Sequence, residues 1–208
     1  MSGADNGTDI KWGTLGWYET SSAAGANTTQ AGGLNHPGVL RLTTGATSGN
    51  NKRLHLSTTA SDPSFDPALF DRFRWVVRIP TITTVTVRLG LMQDVSAASG
   101  GTAGAFFSFD PAANAKWQFT TRQASASTTQ TDPGANVVAN NWYLLEAVRQ
   151  PSGNWTAFVN GAALTANAAT LPTTACAFGV LCQTGAAAAR NVDLDYCYVR
   201  SVLGQLWT

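Results

Sequence analysis

Charged side chains are scarce in this sequence. They make up 12% of its 208 residues, whereas a globular domain usually carries roughly 25%. The 13 lysines and arginines nearly balance the 12 acidic residues, so the formal net charge is +1. Because nucleic-acid binding depends on a concentrated positive field, nucleic acid is not expected as a partner. Small neutral residues must cover much of the surface instead.

Long apolar stretches are also absent. A membrane-spanning helix needs about 20 consecutive apolar residues, and no segment approaches that length. Residues 1–19 contain neither the basic start nor the apolar segment of a secretion signal. We therefore expect no membrane partner and synthesis in a cytoplasm. Residues 1–9 are polar and contain glycine, which predicts an N-terminal arm outside the core.

Cysteine is rare, with three copies at Cys176, Cys182 and Cys197. An odd number cannot pair completely, and one strand would hold Cys176 and Cys182 roughly 20 Å apart, too far for a disulfide. Neither His36 nor His55 lies at a metal-ligand spacing from a cysteine. The sequence therefore predicts three buried thiols, no metal and no cofactor.

Helical periodicity is missing as well, since no segment of a dozen residues carries an apolar stripe at a 3.6-residue spacing. The sequence shows period-two alternation instead, in which every second side chain is apolar. Two runs show it most clearly, residues 70–79 and 85–92. Their alternating apolar positions are Phe73, Trp75, Val77, Ile79, Val85, Val87, Leu89 and Leu91. We predict two strands, each with one face in the core, that lie side by side as antiparallel neighbours.

Roughly ten short runs of this kind, separated by glycine, proline, asparagine and aspartate, are spread along the chain. Between two of them, the pair Asn160-Gly161 is typical of a type I′ hairpin. The 44% of hydrophobic residues supply enough apolar material for one core. We predict a single all-β domain over residues 1–208, folded as a two-sheet antiparallel jelly-roll sandwich.

Three segments carry a family resemblance: residues 141–147 (NWYLLEA), 155–161 (WTAFVNG) and 190–199 (RNVDLDYCYV). Their order and spacing resemble the concanavalin A-like lectin/glucanase superfamily over residues 65–200, and in particular the modules of bacteriophage head and tail proteins. Residues 34–42 resemble an early strand of the same modules. The resemblance implies a non-enzymatic, lectin-like structural protein of the virion, synthesised in the host cytoplasm.

For a virion protein, the resemblance implies major capsid or tail proteins as partners and cell-surface glycans as a ligand. The chain has no heptads or fibrous repeats of the kind that build trimeric fibre shafts. Capsid decoration is therefore favoured, and a tail fibre or receptor-binding protein is the alternative. A homo-oligomer fits either location.

Catalysis is the competing class of function, because glucanases of this superfamily use two carboxyl groups about 5 Å apart. The chain has only Glu19 and Glu146, and neither has an acidic neighbour close in sequence. Asp193 and Asp195 would share one face of a strand at about 6.5 to 7 Å. That spacing suits a polysaccharide hydrolase or lyase, or a Ca²⁺ site. The alternative, that both aspartates bond to loop backbone or to an arginine, is favoured, so no catalytic residue is predicted.

Arginines on strands and tryptophans near the N terminus are further candidates for ligand contact. The arginines of the two alternating runs would line one face of adjacent strands, which suits an anionic ligand or another subunit, with a solvated face of stacked side-chain stems as the equally favoured alternative. These are Arg72, Arg74, Arg78 and Arg88. Tryptophan outside the clearest strands suits sugar stacking or assembly, with core packing as the alternative. The predicted ligand-binding residues are Asp193, Asp195, Arg78, Arg88, Trp12 and Trp17.

Overall fold

The structure is a computed structural model of the chain. It describes residues 4–5, 10–12, 17–22, 25–33, 36–56, 65–93, 101–124, 126–164 and 172–201. Within these ranges no helix is long and apolar enough to cross a membrane.

Sixteen strands and one 3₁₀ turn make up the described secondary structure. The strands are β1 (Ala4–Asp5), β2 (Ile10–Trp12), β3 (Trp17–Ser21), β4 (Gly25–Gly33), β5 (His36–Thr43), β6 (Asn51–Leu56), β7 (Phe70–Arg78), β8 (Val85–Met92), β9 (Ala103–Asp110), β10 (Asn114–Gln123), β11 (Ala126–Thr131), β12 (Trp142–Arg149), β13 (Trp155–Val159), β14 (Ala162–Ala163), β15 (Ala177–Thr184) and β16 (Asn191–Ser201). The 3₁₀ turn, Pro67–Leu69, directly precedes β7 and is capped by the side chain of Asp66.

The strands form two eight-stranded sheets. Sheet A has the order β1-β4-β5-β16-β7-β12-β13-β14, and sheet B has the order β11-β10-β9-β8-β15-β6-β3-β2. Neighbouring strands are antiparallel throughout both sheets. The predicted fold class, a two-sheet antiparallel sandwich, is confirmed.

One hydrophobic core lies between the sheets. From sheet A, strand β7 contributes Phe73 and Trp75, both fully buried. Sheet B supplies Phe178, whose ring stacks on Trp75 with the centroids 4.8 Å apart, and Phe107, whose ring meets Phe73 edge-on at 6.2 Å. Burial of a large apolar side chain contributes about 1.5–3 kcal/mol. These inter-sheet contacts therefore hold the sandwich together.

The predicted pairing of the two clearest strands is wrong. Strand β7 lies between β12 and β16 in sheet A, whereas β8 lies between β9 and β15 in sheet B. Alternation shows which side chains face a core, but two facing sheets share the same core, so it does not show which sheet a strand joins. Arg88 consequently lies on a different face of the molecule from Arg72, Arg74 and Arg78.

The predicted asparagine-glycine hairpin is confirmed. Asn160 and Gly161 have φ values of 51° and 83°, as a type I′ turn requires of both central residues. Val159 and Ala162 pair directly across the turn. This hairpin forms the edge of sheet A.

An ion pair lies on the inner face of sheet B. Glu19 of β3 and Lys52 of β6 are in contact, and both side chains have 0% exposure. Lys52 lies directly opposite Cys182, a core residue. One of the chain's two glutamates is therefore held inside the sandwich.

Two of the three cysteines are buried as predicted, and Cys197 is exposed, so the prediction is wrong for Cys197. Burial raises the pKa of Cys176 and of Cys182 to about 12. Cys197 borders an opening between the sheets, and partial burial there still raises its pKa to about 11. Of the predicted N-terminal arm, only Ala4–Asp5 is among the described residues, and it pairs with the start of β4.

Candidate functional site

The outer face of sheet A carries an arginine-aspartate cluster that spans three strands. Asp193 of β16 lies directly opposite Arg41 of β5 and Arg78 of β7. Its carboxylate accepts two hydrogen bonds from Arg41, at 2.6 and 2.8 Å, and two from Arg78, at 2.6 and 2.9 Å. The Asp193 side chain has 0% exposure. The predicted site residues Asp193 and Arg78 are thus brought together, as partners of each other.

Asp195 has a separate partner because a β-bulge lies between Leu194 and Tyr196. A bulge inserts one extra residue into a strand and interrupts its alternation, so the regular spacing predicted for the two aspartates is not kept. Asp195 contacts Nδ1 of His36 at 2.7 Å. The His36 ring stacks on Trp142 with the centroids 4.2 Å apart, and the Arg78 guanidinium lies 4.8 Å from the centre of the same indole.

Glu146, the remaining carboxylate weighed for catalysis, is also paired. It contacts the guanidinium groups of Arg72 and Arg74 on neighbouring strand β7. The predicted alternative of arginine pairing is what the structure shows for Asp193, whereas Asp195 pairs with His36. Five arginines on this outer face each contact a carboxylate: Arg41, Arg72, Arg74, Arg78 and Arg200. Charges on the outer face of sheet A are largely neutralised within the protein.

Trp17 lies on the inner face of sheet B, with its ring 6.2 Å from Phe178 of the core. It lines a cleft of about 250 Å³ between the sheets, together with Trp75, Asp195 and Cys197. Pockets that enclose small ligands usually measure about 300–1,000 Å³, so this cleft is small for a glycan. Trp12 pairs with Trp17 through its backbone, but its side chain lies outside the described residues.

The outer face of sheet B presents a line of seven directly paired residues, six of them polar and one apolar, which we call the polar row. Its members lie directly opposite one another on seven successive strands. They are Thr20, Arg53, Leu181, Arg88, Ser108, Gln118 and Thr131. Leu181 is buried, and the other six are partly exposed. At about 4.8 Å per strand, the polar row extends over roughly 29 Å.

Arg88, a predicted ligand-binding residue, lies at the centre of the polar row. It makes no hydrogen bond and no ion pair with the described residues, and its Nη1 is buried without a partner. Its guanidinium lies 5.8 Å from the centre of the Phe106 ring. Burial, followed by the charge of Arg122, lowers the pKa of Arg88 to about 10. Arg88 is therefore still a cation at neutral pH, with an unfilled capacity to donate hydrogen bonds.

Glycines let the strands beneath Arg88 approach closely. Gly90 and Gly179 lie directly opposite each other on β8 and β15. A Cβ on Gly179 would lie 2.6 Å from the carbonyl oxygen of Leu54, and one on Gly90 would lie 2.6 Å from that of Ala105. The apolar residues around these glycines form a second small cluster on the outer face of sheet B: Met92, Phe106, Ala177 and Leu181.

Sequence reasoning identified Arg88 but missed the rest of the polar row. The signal that was present is Gly90 inside a regularly alternating run, since glycine within a strand marks close approach of another backbone or a ligand. Gly179, in an otherwise apolar strand, is a second such signal. Ser108 and Gln118 carry no mark of their own in the sequence, because strand pairing alone brings them beside Arg88.

Comparison with known proteins places the chain in a family. The model for the SO2946-like, C-terminal domain matches residues 35–195. The chain belongs to this SO2946-like family. No curated protein matches the chain in sequence. Among the described residues, no group of three or more histidine, cysteine, aspartate or glutamate side chains is placed to hold a metal ion.

Solved structures resemble this SO2946-like domain at low sequence identity. A protein of unknown function, SO2946 from Shewanella oneidensis MR-1, is 12% identical with a TM-score of 0.59, over 92% of this chain and 90% of that one. The carbohydrate recognition domain of Emp47p is 12% identical with a TM-score of 0.62, over 97% and 95%. The binding domain of botulinum neurotoxin DC, crystallised with SialylT, is 11% identical with a TM-score of 0.55, over 89% of this chain and 43% of that one.

These similarities establish the fold. The predicted lectin-like sandwich is confirmed, because carbohydrate recognition domains share it over nearly the whole chain. The phage context is a finer claim, which stays a prediction. The ligand-binding roles of Asp193, Asp195, Arg78, Arg88, Trp12 and Trp17 also stay predictions, and the structure separates these residues among three places.

Proposed function

We propose that this SO2946-like domain is a non-catalytic carbohydrate-binding domain that holds a glycan along the polar row. The observation that carries the proposal is Arg88, a half-buried cation with a buried, unpartnered Nη1 at the centre of a polar surface. A buried donor without a partner loses about 1–3 kcal/mol of hydrogen bonding. A ligand that accepts a hydrogen bond from Arg88 would regain this free energy, so the site is suited to an oxygen-rich molecule.

The neighbours of Arg88 have the chemistry that hydroxyl-rich ligands need. Ser108, directly opposite Arg88, offers a hydroxyl that donates and accepts, and Gln118 adds an amide next to it. Phe106 supplies an aromatic surface beneath the guanidinium. The resemblance to carbohydrate recognition domains supports this choice of ligand class.

The absence of catalysis is the second part of the proposal. Asp193 accepts four hydrogen bonds from two arginines, and Glu146 contacts two more arginines. Both carboxylates are therefore occupied by the protein's own arginines and are not free to contact a sugar. We expect no sugar release from a broad polysaccharide panel. Turnover that Asp195→Asn abolishes would instead establish the hydrolase or lyase alternative.

A glycan array tests the carbohydrate-binding proposal. The wild-type domain should bind a defined group of glycans, and Arg88→Gln should lose at least tenfold in affinity for them. Arg200→Gln is the matched control, because Arg200 forms an ion pair with Asp71 on the opposite sheet's outer face. Equal binding by wild type and Arg88→Gln would show that the polar row is not the site. Failure to bind any glycan would overturn the function itself.

We also propose that the domain is displayed on a bacteriophage particle, with capsid decoration favoured and a tail or receptor-binding role as the alternative. The support is the resemblance of residues 141–147, 155–161 and 190–199 to phage modules. On this proposal major capsid or tail proteins are its partners and the virion is its location. Immunogold labelling of intact particles tests it. Label over the head supports decoration, label confined to the tail supports receptor binding, and bare particles overturn both.

A further inference from the structure

Charge is distributed differently on the two outer faces of the sandwich. On sheet A, five arginines each contact a carboxylate supplied by the protein. On sheet B, Arg88 contacts none among the described residues, and Arg53 and Arg122 lie on the same face. The charge of Arg122 repels that of Arg88 and, after burial, is the second cause that lowers the pKa of Arg88.

Among the described residues, Asp110 is an acidic group whose charge attracts Arg88. Its attraction has a smaller effect on Arg88 than the repulsion by Arg122. The Asp110 carboxylate accepts a hydrogen bond from the backbone N–H of Ala112. Part of its hydrogen-bonding capacity is therefore used within the turn that follows β9. No carboxylate of the described residues forms an ion pair with Arg88, and an anion bound there would offset the repulsion from Arg122.

Resting on the proposed function, we infer that the glycan is acidic and that its carboxylate binds the guanidinium of Arg88. The planar fork of arginine matches the two oxygens of a carboxylate, and such charge-assisted bonds are about twice as strong as neutral ones. The Phe106 ring lies beneath the guanidinium, with its centre 5.8 Å from the guanidinium carbon. Ser108, opposite Arg88, is placed to bond to a sugar hydroxyl beside the carboxylate.

The ligand class therefore comprises polysaccharides that contain uronic or sialic acids. A neutral glycan would satisfy the donor capacity of Arg88 but would leave its charge uncompensated. A hydroxyl that accepts from Arg88 also bonds to a charged donor, so the advantage of a carboxylate is the added attraction between opposite charges, for which we expect roughly tenfold in affinity, or about 1.4 kcal/mol. Acidic glycans should gain that factor over neutral ones of the same backbone.

Matched pairs of polysaccharides test this inference. Polygalacturonate, alginate, hyaluronate and polysialic acid, each with its carboxyl-reduced counterpart, are titrated into the full chain by calorimetry. At least one acidic member should bind tenfold or more tightly than its reduced form, and the preference should weaken as salt rises, because exposed charges are screened. Arg88→Gln should abolish the preference. Arg88→Lys, which keeps the charge but not the fork, should retain part of it, and Arg200→Gln should retain all of it.

The outcomes separate the two proposals. Equal binding of the acidic and reduced forms would overturn the acidic ligand and leave carbohydrate binding intact. Binding of neutral glycans alone would also overturn the acidic ligand and leave carbohydrate binding intact. If the domain bound neither the acidic polysaccharides, nor their reduced forms, nor any neutral glycan on an array, both the acidic ligand and the carbohydrate-binding function would be overturned. Binding of a sulfated polysaccharide in preference to all carboxylated ones would overturn the carboxylate. Each variant must unfold at a temperature no lower than that of the wild type, so that a loss of binding is not a loss of fold.

Discussion

Asp193 lies directly opposite Arg78 and accepts two hydrogen bonds from its guanidinium, while Arg41 on the other side donates two more. The carboxylate is fully buried beneath two partly exposed arginines. Hydrogen bonding to Asp193 raises the pKa of Arg41. The arrangement connects β5, β16 and β7 across the centre of sheet A, so its primary effect is on the stability of the sheet.

Asp193→Ala should destabilise the domain by about 3 kcal/mol. This is the lower end for a broken buried ion pair, because both guanidinium groups remain in contact with water. Urea unfolding at neutral pH measures the change. Asp71→Ala is the control, since Asp71 pairs with the exposed Arg200, and it should leave the unfolding midpoint close to that of wild type. Equal effects of the two substitutions would contradict a structural role for the cluster.

The buried pair of Glu19 and Lys52 gives a second prediction. Lys52→Met leaves the Glu19 carboxylate in the core without this partner and should cost about 3–5 kcal/mol. The double variant Glu19→Leu with Lys52→Met should recover most of that loss, because an apolar pair of similar volume avoids the desolvation of two charges. A double-mutant cycle in urea measures the coupling. Additive effects would show that the two groups do not depend on each other.

Alternation correctly predicted the core residues of β7 and β8, and the Asn160-Gly161 pair correctly predicted a turn. Both succeeded because side-chain period and turn geometry are local properties of the chain. The sheet that each strand joins is not local. It depends on contacts between segments far apart in the chain, and β7 and β8 separate into different sheets despite a short connection. For the same reason Arg88 was predicted to share a face with Arg72, Arg74 and Arg78, although it lies on the other sheet. The prediction that its side chain points away from the core was correct.

The candidate site was predicted only in part. Arg88 stood out as an arginine on an alternating strand, but its partners on the polar row come from six other strands, whose register no local pattern reveals. The aspartates were expected to share a face, and the bulge at Asp195 was not visible in the sequence. A bulge depends on the pairing with β7. It leaves residue 193 paired with arginines and residue 195 hydrogen-bonded to His36.

Gly179 gives a third prediction, because the neighbouring backbone leaves no room for a side chain there. A Cβ would lie 2.6 Å from the Leu54 carbonyl oxygen and 2.7 Å from the Cβ of His55. Gly179→Ala should therefore cost about 1–3 kcal/mol, measured by chemical unfolding. It should also weaken glycan binding, since β6 and β15 carry Arg53 and Leu181 of the polar row. Gly38→Ala, with nothing within 4 Å of the added carbon, should change neither property appreciably.

The cysteines differ in accessibility, which a thiol titration measures. At pH 8 the buried thiols of Cys176 and Cys182 are neutral, because their pKa is raised to about 12. A thiol-specific reagent should modify only Cys197 in the native protein, slowly because its pKa is about 11, and all three cysteines in denaturant. Since the folded thiols bind protons more tightly than the unfolded ones, stability should fall as pH rises from 9 towards 12. Rapid native modification of three thiols would contradict this account.

Arg88 should lower the stability of the domain even though it serves binding. Folding lowers its pKa to about 10, so below pH 10 the charged guanidinium destabilises the folded state, and this cost falls as the pH rises above 10. Arg88→Met, beside Met92, Phe106 and Leu181, should therefore raise the free energy of unfolding at pH 7 by about 0.5–2 kcal/mol. Glycan binding should be lost at the same time, and the stability difference from wild type should shrink above pH 10. If Arg88→Met were less stable than the wild type, Arg88 would have a stabilising partner within the protein. That result would contradict the inference that Arg88 binds an external anion.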